Sequence, residues 1–390
     1  METARRMSGI KPSATLAMNA KTLELRARGV AVTSLAVGEP DFPTPAHIRE
    51  AACAAIAEGF TRYTAVAGIP ELREAVAGYY RRCYGVTADP ACVIIENGGK
   101  QALYNLFLAL LNPGDEVLVP SPYWVSYPDM VRLAEGVPVP VAAPASRGFK
   151  VSPADLEAAR TSKTRVLVFN SPSNPTGACY SRPESDAIMQ WALDHGIFVI
   201  ADEIYDQLVY PPAQPASVSI WWEKYPERFA IANGLSKSFA MTGWRVGHTL
   251  AHPDLIKAIS QVQGQTTANV CSIAQKAAAA ALAGSYDCVA EMRAAFQRRR
   301  DMAHAEIASW PGVVCPRPDG AFYLFADISA LLTPDLPDAG ALCAFLLEKA
   351  RVAIMPGDAF GAPGCVRLSY AVSDEALMDA LGRIRSALFG

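Results

Sequence analysis

Four clusters of polar residues each follow a short apolar run. After residues 92–95 comes Glu96-Asn97-Gly98-Gly99-Lys100-Gln101-Ala102-Leu103, a glycine turn leading into a helical period. After 165–169 comes Asn170-Ser171-Pro172-Ser173-Asn174-Pro175-Thr176-Gly177. After 197–201 comes Asp202-Glu203-Ile204-Tyr205. After 229–232 comes Asn233-Gly234-Leu235-Ser236-Lys237, with Arg245 and Gly247 shortly beyond. If the apolar runs are strands of one open α/β sheet, all four clusters meet at its carboxyl edge, where such sheets bind ligands. An anion-binding turn, a carboxylate, a phenol, a lysine and an arginine would then converge.

Pyridoxal 5′-phosphate (PLP) chemistry asks for that set. A lysine must hold the cofactor aldehyde as a Schiff base, and its amine later carries the proton. A buried carboxylate must keep the ring nitrogen protonated so that the ring can accept electrons. The phosphate needs backbone N–H groups at a helix start and a cation. A glycine turn alone says little. Lys237 followed by Arg245 with glycines around them says much more, and the four clusters in this order say most.

The elements that must position these residues read as follows. Thr44-Pro45 should be the N-cap and first position of a helix, with Ile48, Ala52, Ala55 and Ile56 inward and Gly59 just past its end. Pro70 should open a second helix, with Leu72, Val76, Tyr79 and Tyr80 inward and Gly85 as its stop. Buried strands are expected over 92–95, 116–119, 165–169, 197–201 and 229–232, separated by helices near 101–111, 123–135 and 184–195. Short apolar runs joined by helices predict a mostly parallel sheet covered on both faces. The alanine-rich run 277–283 should be a buried helix surface. After about Ser285 a long charged helix runs to about Ser309. Strands near 322–327, 352–354 and 366–370 follow, which suggests a smaller α+β domain.

With these residues in view, Ser236-Lys237 followed by Gly243-Trp244-Arg245-Val246-Gly247 resembles the attachment motif of the class I/II, fold type I, PLP-dependent aminotransferases. Asn174-Pro175-Thr176-Gly177, Asp202-Glu203-Ile204-Tyr205 and Arg367-Leu368-Ser369-Tyr370 fall where that family places its other motifs. The resemblance runs from Val37-Gly38-Glu39-Pro40-Asp41-Phe42 to the last helix. It is strongest toward bacterial-type aspartate and prephenate aminotransferases, through Gly98-Gly99-Lys100-Gln101-Ala102-Leu103 and Ser121-Pro122-Tyr123-Trp124-Val125-Ser126-Tyr127-Pro128.

That resemblance implies the PLP-transferase fold, α/β, with a large PLP-binding domain (48–290) and a small domain built from both chain ends (1–47 and 291–390). It implies that Lys237 binds the cofactor and moves the proton, and that Asp202 pairs with the ring nitrogen. Tyr205 and Asn174 would bond the ring oxygen, and Trp124 would stack on the ring, a role Tyr123 could also take. Gly98, Gly99, Ser236 and Arg245 would hold the phosphate, joined by Tyr63 from the other subunit of a homodimer. Gly234 departs from the family, which often has serine or threonine there, and so removes one phosphate donor. Arg367, with Gly38 and Asn174 nearby, would bind the substrate α-carboxylate as a bidentate fork. Lys100 would select dicarboxylic substrates, with Thr15 of the Lys11-Pro12-Ser13-Ala14-Thr15 segment joining it. The alternative for Lys100 is neutralisation of the cofactor phosphate. The implied reaction is ping-pong transfer of an amino group between an L-amino acid, aspartate or glutamate, and a 2-oxo acid such as 2-oxoglutarate, oxaloacetate or prephenate. Other readings on the same scaffold are an aromatic or aliphatic aminotransferase, a C–S lyase or a decarboxylase. A PLP-binding regulatory domain without turnover is disfavoured, because no DNA-binding module is attached.

Composition fits an ordinary soluble enzyme. Of 390 residues, 51% are apolar and 19% charged, with a net charge of −3, so no nucleic-acid or membrane surface is expected. The densest basic run, Arg298-Arg299-Arg300, reads as a solvated helix face. Nine scattered cysteines with no C-x-x-C pair suit a reducing compartment. No run reaches the ~18 apolar residues of a membrane span, and no apolar stretch follows the basic residues near the N-terminus as a secretory signal would require. A cytoplasmic enzyme of amino-acid metabolism is expected. His248 and His252 have i,i+4 spacing, but Pro253 follows with no helix around them, so no metal site is expected.

Overall fold

The structure, a computed structural model, describes residues 4–10 and 14–390. Its strands in chain order are β1 (Thr33–Ser34), β2 (Val93–Glu96), β3 (Glu116–Ser121), β4 (Val137–Ala142), β5 (Thr164–Asn170), β6 (Phe198–Asp202), β7 (Phe229–Gly234), β8 (Gly247–Leu250), β9 (Tyr323–Asp327), β10 (Val352–Ala353), β11 (Met355–Pro356) and β12 (Cys365–Ser369). Seven form the central sheet, in the order β2-β8-β7-β6-β5-β3-β4. β8 is antiparallel to both neighbours, and every other pairing in that sheet is parallel.

The strands are apolar throughout because both faces of the sheet are covered. Side chains alternate between two separate cores. Val93, Ile95, Leu167, Val199 and Ile231 pack into one, with the helices Ala46–Ala57, Pro70–Tyr84 and Ser272–Ala283. Ile94, Val166, Val168, Ile200 and Ala230 pack into the other, with the helices Gly99–Leu110 and Pro253–Thr266. This alternation is the strand period of two expressed in packing. The alanines at 277–279 and 281 are buried, and their small side chains let their helix lie closely on Ala46–Ala57.

A second unit of structure follows the long helix Asp287–Ala308. Its three-stranded sheet, β11-β12-β9, is antiparallel. β1, from the start of the chain, pairs in parallel with β10. The N-terminal segment is thereby tied to the C-terminal quarter of the chain.

Several expectations require correction. Thr44 does not cap the helix at 46–57; Pro45 holds the N-cap position without a side-chain cap. The Thr44 hydroxyl instead donates to the Ala240 carbonyl at 2.7 Å and accepts from the Trp244 indole at 2.9 Å. Ile56 points outward and is 56% exposed, while Ile48, Ala52 and Ala55 are buried as expected. The helix expected over 123–135 is confined to Tyr127–Leu133. The run Arg298-Arg299-Arg300 is not a solvated face. Successive helical residues are ~100° apart, so Arg298 faces solvent while Arg299 and Arg300 are buried. Arg299 pairs with Asp41 and Asp374, and Arg300 with Asp301.

No helix among the described residues is long and apolar enough to cross a membrane. His248 lies on β8, with Nε2 3.2 Å from the Tyr80 hydroxyl, and His252 caps the helix Pro253–Thr266.

Candidate active site

The carboxyl ends of β2, β5, β6 and β7 lie on one edge of the sheet and deliver the four polar clusters there. β8, being antiparallel, starts where those strands end. A residue two positions before it therefore returns to the same edge, and this residue is Arg245. A cavity of about 290 Å³ opens at that edge. Gly38, Gly99, Lys100, Trp124, Asn174, Asp202, Tyr205, Ser236, Lys237, Arg245 and Arg367 line it. Gly98 lies just behind, at φ +85°, a left-handed conformation that favours glycine, and an added Cβ would push on the Arg245 guanidinium.

On the floor, Lys237 Nζ donates to the Gly38 carbonyl at 2.5 Å and lies about 6 Å from the ring centres of Tyr205 and Phe322. Desolvation lowers its pKa to about 8; Arg367 and Arg245 push the same way, against Glu39 and Asp202. Asp202 is buried, forms no ion pair among the described residues, and has its pKa raised to about 6 by that burial. Its Oδ2 accepts from the Tyr127 hydroxyl at 2.6 Å, and Oδ1 from the Ile204 amide at 3.2 Å. The Tyr205 hydroxyl is 2.8 Å from that of Tyr323. Burial raises the pKa of Tyr205, so both phenols stay protonated near neutral pH.

Arg367 is buried at 3% exposure. Nη1 donates to Asn174 Oδ1 at 2.9 Å and Nη2 to the Ala36 carbonyl at 2.6 Å. No carboxylate neutralises it among the described residues, and its Nε has no partner. Its guanidinium stacks between Tyr323 and Phe360, 4.5 and 4.8 Å from the ring centres. A buried cation without a counter-charge is costly unless an anion completes it.

Lys100 stands in the first turn of the helix Gly99–Leu110. Its ammonium lies 4.9 Å from the Trp124 ring centre and donates to Ser126 Oγ at 3.2 Å. Surrounding protein lowers its pKa, and Arg245 adds repulsion. Trp124, not Tyr123, faces the cavity; Tyr123 packs against Gly361 instead. Gly234, at the end of β7, is tightly packed: an added Cβ would sit 3.0 Å from Gly247 Cα and the Val246 carbonyl, so the backbone there would have to shift slightly.

Tyr63 does not line the cavity and is 92% exposed on the single chain. The Thr15 side chain lies outside the described residues. Asn170, Tyr127 and Tyr323 also line the cavity, and no functional role had been assigned to them from the sequence. Asn170 ends β5 in register with Asp202, donates to the Asp202 carbonyl at 2.9 Å and accepts the Asn174 amide at 2.9 Å. A polar residue closing a buried strand was the signal for it. The two tyrosines gave none, because a buried phenol reads as core.

Comparison with known proteins agrees with this geometry. Residues 30–384 match the family described as aminotransferase class I and II. The chain is 46% identical to the aspartate aminotransferase of Streptomyces avermitilis, over 98% of this chain and 95% of that protein. It is 46% identical to the aspartate/prephenate aminotransferase of Thermus thermophilus, over 99% and 98%. The solved structure of Thermus thermophilus aspartate aminotransferase with maleate superposes with a TM-score of 0.94 at 45% identity, covering all of both chains. A lysine, a carboxylate and an uncompensated arginine around one cavity, on a chain matched nearly end to end, place this protein in the class I and II aminotransferase family, as an aminotransferase.

Proposed function

We propose that the protein binds PLP at Lys237 and transfers amino groups between aspartate or glutamate and 2-oxo acids, with prephenate as a further acceptor. The observation that carries this reading is that Asp202, a buried carboxylate without an ion-pair partner among the described residues, and Lys237 line the same cavity, where burial raises the pKa of the acid and lowers that of the amine. The residues fit the cofactor in two further ways. The Gly98 turn leaves backbone and Arg245 for a phosphate, and Trp124 offers a ring face. Arg367, with a buried, unpartnered Nε, is left for the substrate.

When bound, the cofactor supplies a sink for the electron pair left on the substrate α-carbon. The chain does the rest. Lys237 would anchor the cofactor and is placed to move a proton on and off the substrate α-carbon; burial, which lowers its pKa to about 8, makes the amine easier to deprotonate than a solvated lysine. Asp202, held by Tyr127, keeps the ring nitrogen protonated. Tyr205 and Asn174 address the ring oxygen. Gly98, Gly99, Ser236 and Arg245 hold the phosphate. Arg367 and Asn174, with Gly38 alongside, grip the α-carboxylate common to all amino acids.

Lys100 at the cavity mouth selects a second carboxylate, and Thr15 joins it. Its nearness to Arg245 favours a second reading, in which Lys100 helps to neutralise the phosphate. In the same proposal residues 1–47 and 291–390 make up the small domain and 48–290 the large one, a division supported by the β1–β10 pairing. The working unit is a cytoplasmic homodimer in which Tyr63 serves the other subunit's phosphate.

Purified protein loaded with PLP and given aspartate alone should release one equivalent of oxaloacetate per site, and turn over once 2-oxoglutarate is added. Release of ammonia, carbon dioxide or, from a sulfur amino acid, a thiol would favour lyase or decarboxylase chemistry instead.

A further inference from the structure

Residues 35–44 form a strap that reaches the cavity at Gly38. The strap contains no helix or strand, and Pro40 and Pro43 cannot donate backbone hydrogen bonds. Two of its carbonyls nevertheless hold two of the site's four cations: Ala36 accepts from Arg367 and Gly38 from Lys237. A segment without a ladder keeps its place only through individual tethers.

At one end, Leu35 exchanges backbone bonds with Ala353 and Ser369. At the other, Thr44 is held by Ala240 and Trp244, and Glu39 accepts from Thr242. The remaining tether is Arg299. Its Nη1 donates to Asp41 Oδ1 at 2.7 Å and its Nε to Asp374 Oδ1 at 2.9 Å. Its guanidinium lies 5.3 and 5.7 Å from the ring centres of Phe42 and Phe296. Arg298 braces Asp374 from the solvent side at 2.8 Å. The arginine side chain is 7% exposed. With its carboxylates partly exposed, such a bridge adds little stability, but the planar fork of the buried arginine fixes direction.

We propose that Arg299 is a positioning residue: through Asp41 it sets the strap, and through the strap it sets the place of Arg367. This rests on the reading that Arg367 receives the substrate α-carboxylate.

The test uses the cofactor-loaded enzyme with Asp41→Asn, Arg299→Gln and Arg299→Lys. Asp41→Asn and Arg299→Gln should raise KM for aspartate and alanine alike by at least ~10-fold, with kcat within ~3-fold, since the lost contact serves ground-state binding. Arg299→Lys keeps the charge without the fork and should fall between them and the wild type. Backbone amides of 35–44 should exchange hydrogen faster in all three variants. An unchanged KM with only a lower melting temperature would overturn the proposal, as would a fall in kcat alone. If Arg299→Gln does not fold, Asp41→Asn removes the same tether from the exposed side and is read by the same criteria. Arg367→Lys, run in parallel, separates the two levels. If it leaves KM unchanged for both amino acids, the reading of Arg367 fails. If it raises KM and the strap variants do not, only the role of Arg299 fails.

Discussion

At the floor of the cavity Asp202 and Tyr205 are buried, Lys237 is recessed between aromatic rings, and each polar atom has a fixed partner. At the mouth Lys100 keeps solvent access and holds one hydrogen bond, to Ser126, over a half-buried tryptophan. The floor pays in desolvation: the pKa of Asp202 is raised and that of Lys237 lowered by burial. Lys100 carries a smaller shift of the same origin. The groups proposed to act on every substrate are thus immobilised, and the group proposed to sort substrates sits on a flexible stem able to meet carboxylates at different distances.

The sharpest way to break this contrast is at the floor. Lys237→Ala should lower turnover with every amino acid by ~10,000-fold or more and abolish borohydride-stable attachment of PLP. Attachment to another lysine in a peptide map would refute the assignment.

Asp202→Asn should cost ~100- to 1,000-fold in kcat, the usual scale for one lost electrostatic partner. It should also do something a structural residue would not. In the cofactor-free protein the raised pKa of Asp202 means that the folded state binds more protons than the unfolded state between about 4 and 6, so stability falls as pH rises through that window. The asparagine variant lacks this ionisation. It should therefore exceed the wild type in stability by roughly 1–3 kcal/mol above pH 6 and lose that advantage near pH 4, as thermal melts would record. Equal stabilities at both pH values would disprove an ionised, desolvated Asp202.

At the mouth, Lys100→Ala should lower kcat/KM for aspartate by at least ~30-fold, as for one lost member of a desolvated charge pair, and leave alanine nearly unaffected. Equal losses for both, with weaker PLP retention, would move Lys100 to the phosphate and erase the division between floor and mouth. The smallest effect belongs to Tyr63→Phe. If that hydroxyl serves the neighbouring subunit, cofactor affinity should fall by ~3- to 10-fold while sedimentation still shows a dimer; an active monomer would end that reading.

The sequence displayed the floor far better than its surroundings. Each strand expected from apolar runs lies within a residue or two of its place, and the cluster after it reaches the cavity, because a strand buried on both faces leaves a continuous apolar signature ending in polar residues. Arg299 escaped for the opposite reason. Three adjacent arginines look alike in a sequence, and only the helix phase with the placement of Asp41 and Asp374 tells the solvated one from the buried two. Thr44 carried the right chemistry for a helix cap, but its hydroxyl found a carbonyl nearly two hundred residues away. Tyr127 and Tyr323 were invisible because nothing local separates a phenol that orients a carboxylate from one that fills space.

β8 has a consequence for the order of assembly. It inserts between β2 and β7, so that Glu96 comes to pair with Gly247 and Gly234 with the same residue from the other side. The turn after β2 and the arginine before β8 can meet only when segments far apart in the chain have docked, and such distant pairings form slowly. Capture of the cofactor phosphate during refolding would then report closure of the whole sheet, and a chain trapped before β8 inserts would retain most of its helices yet take up no PLP.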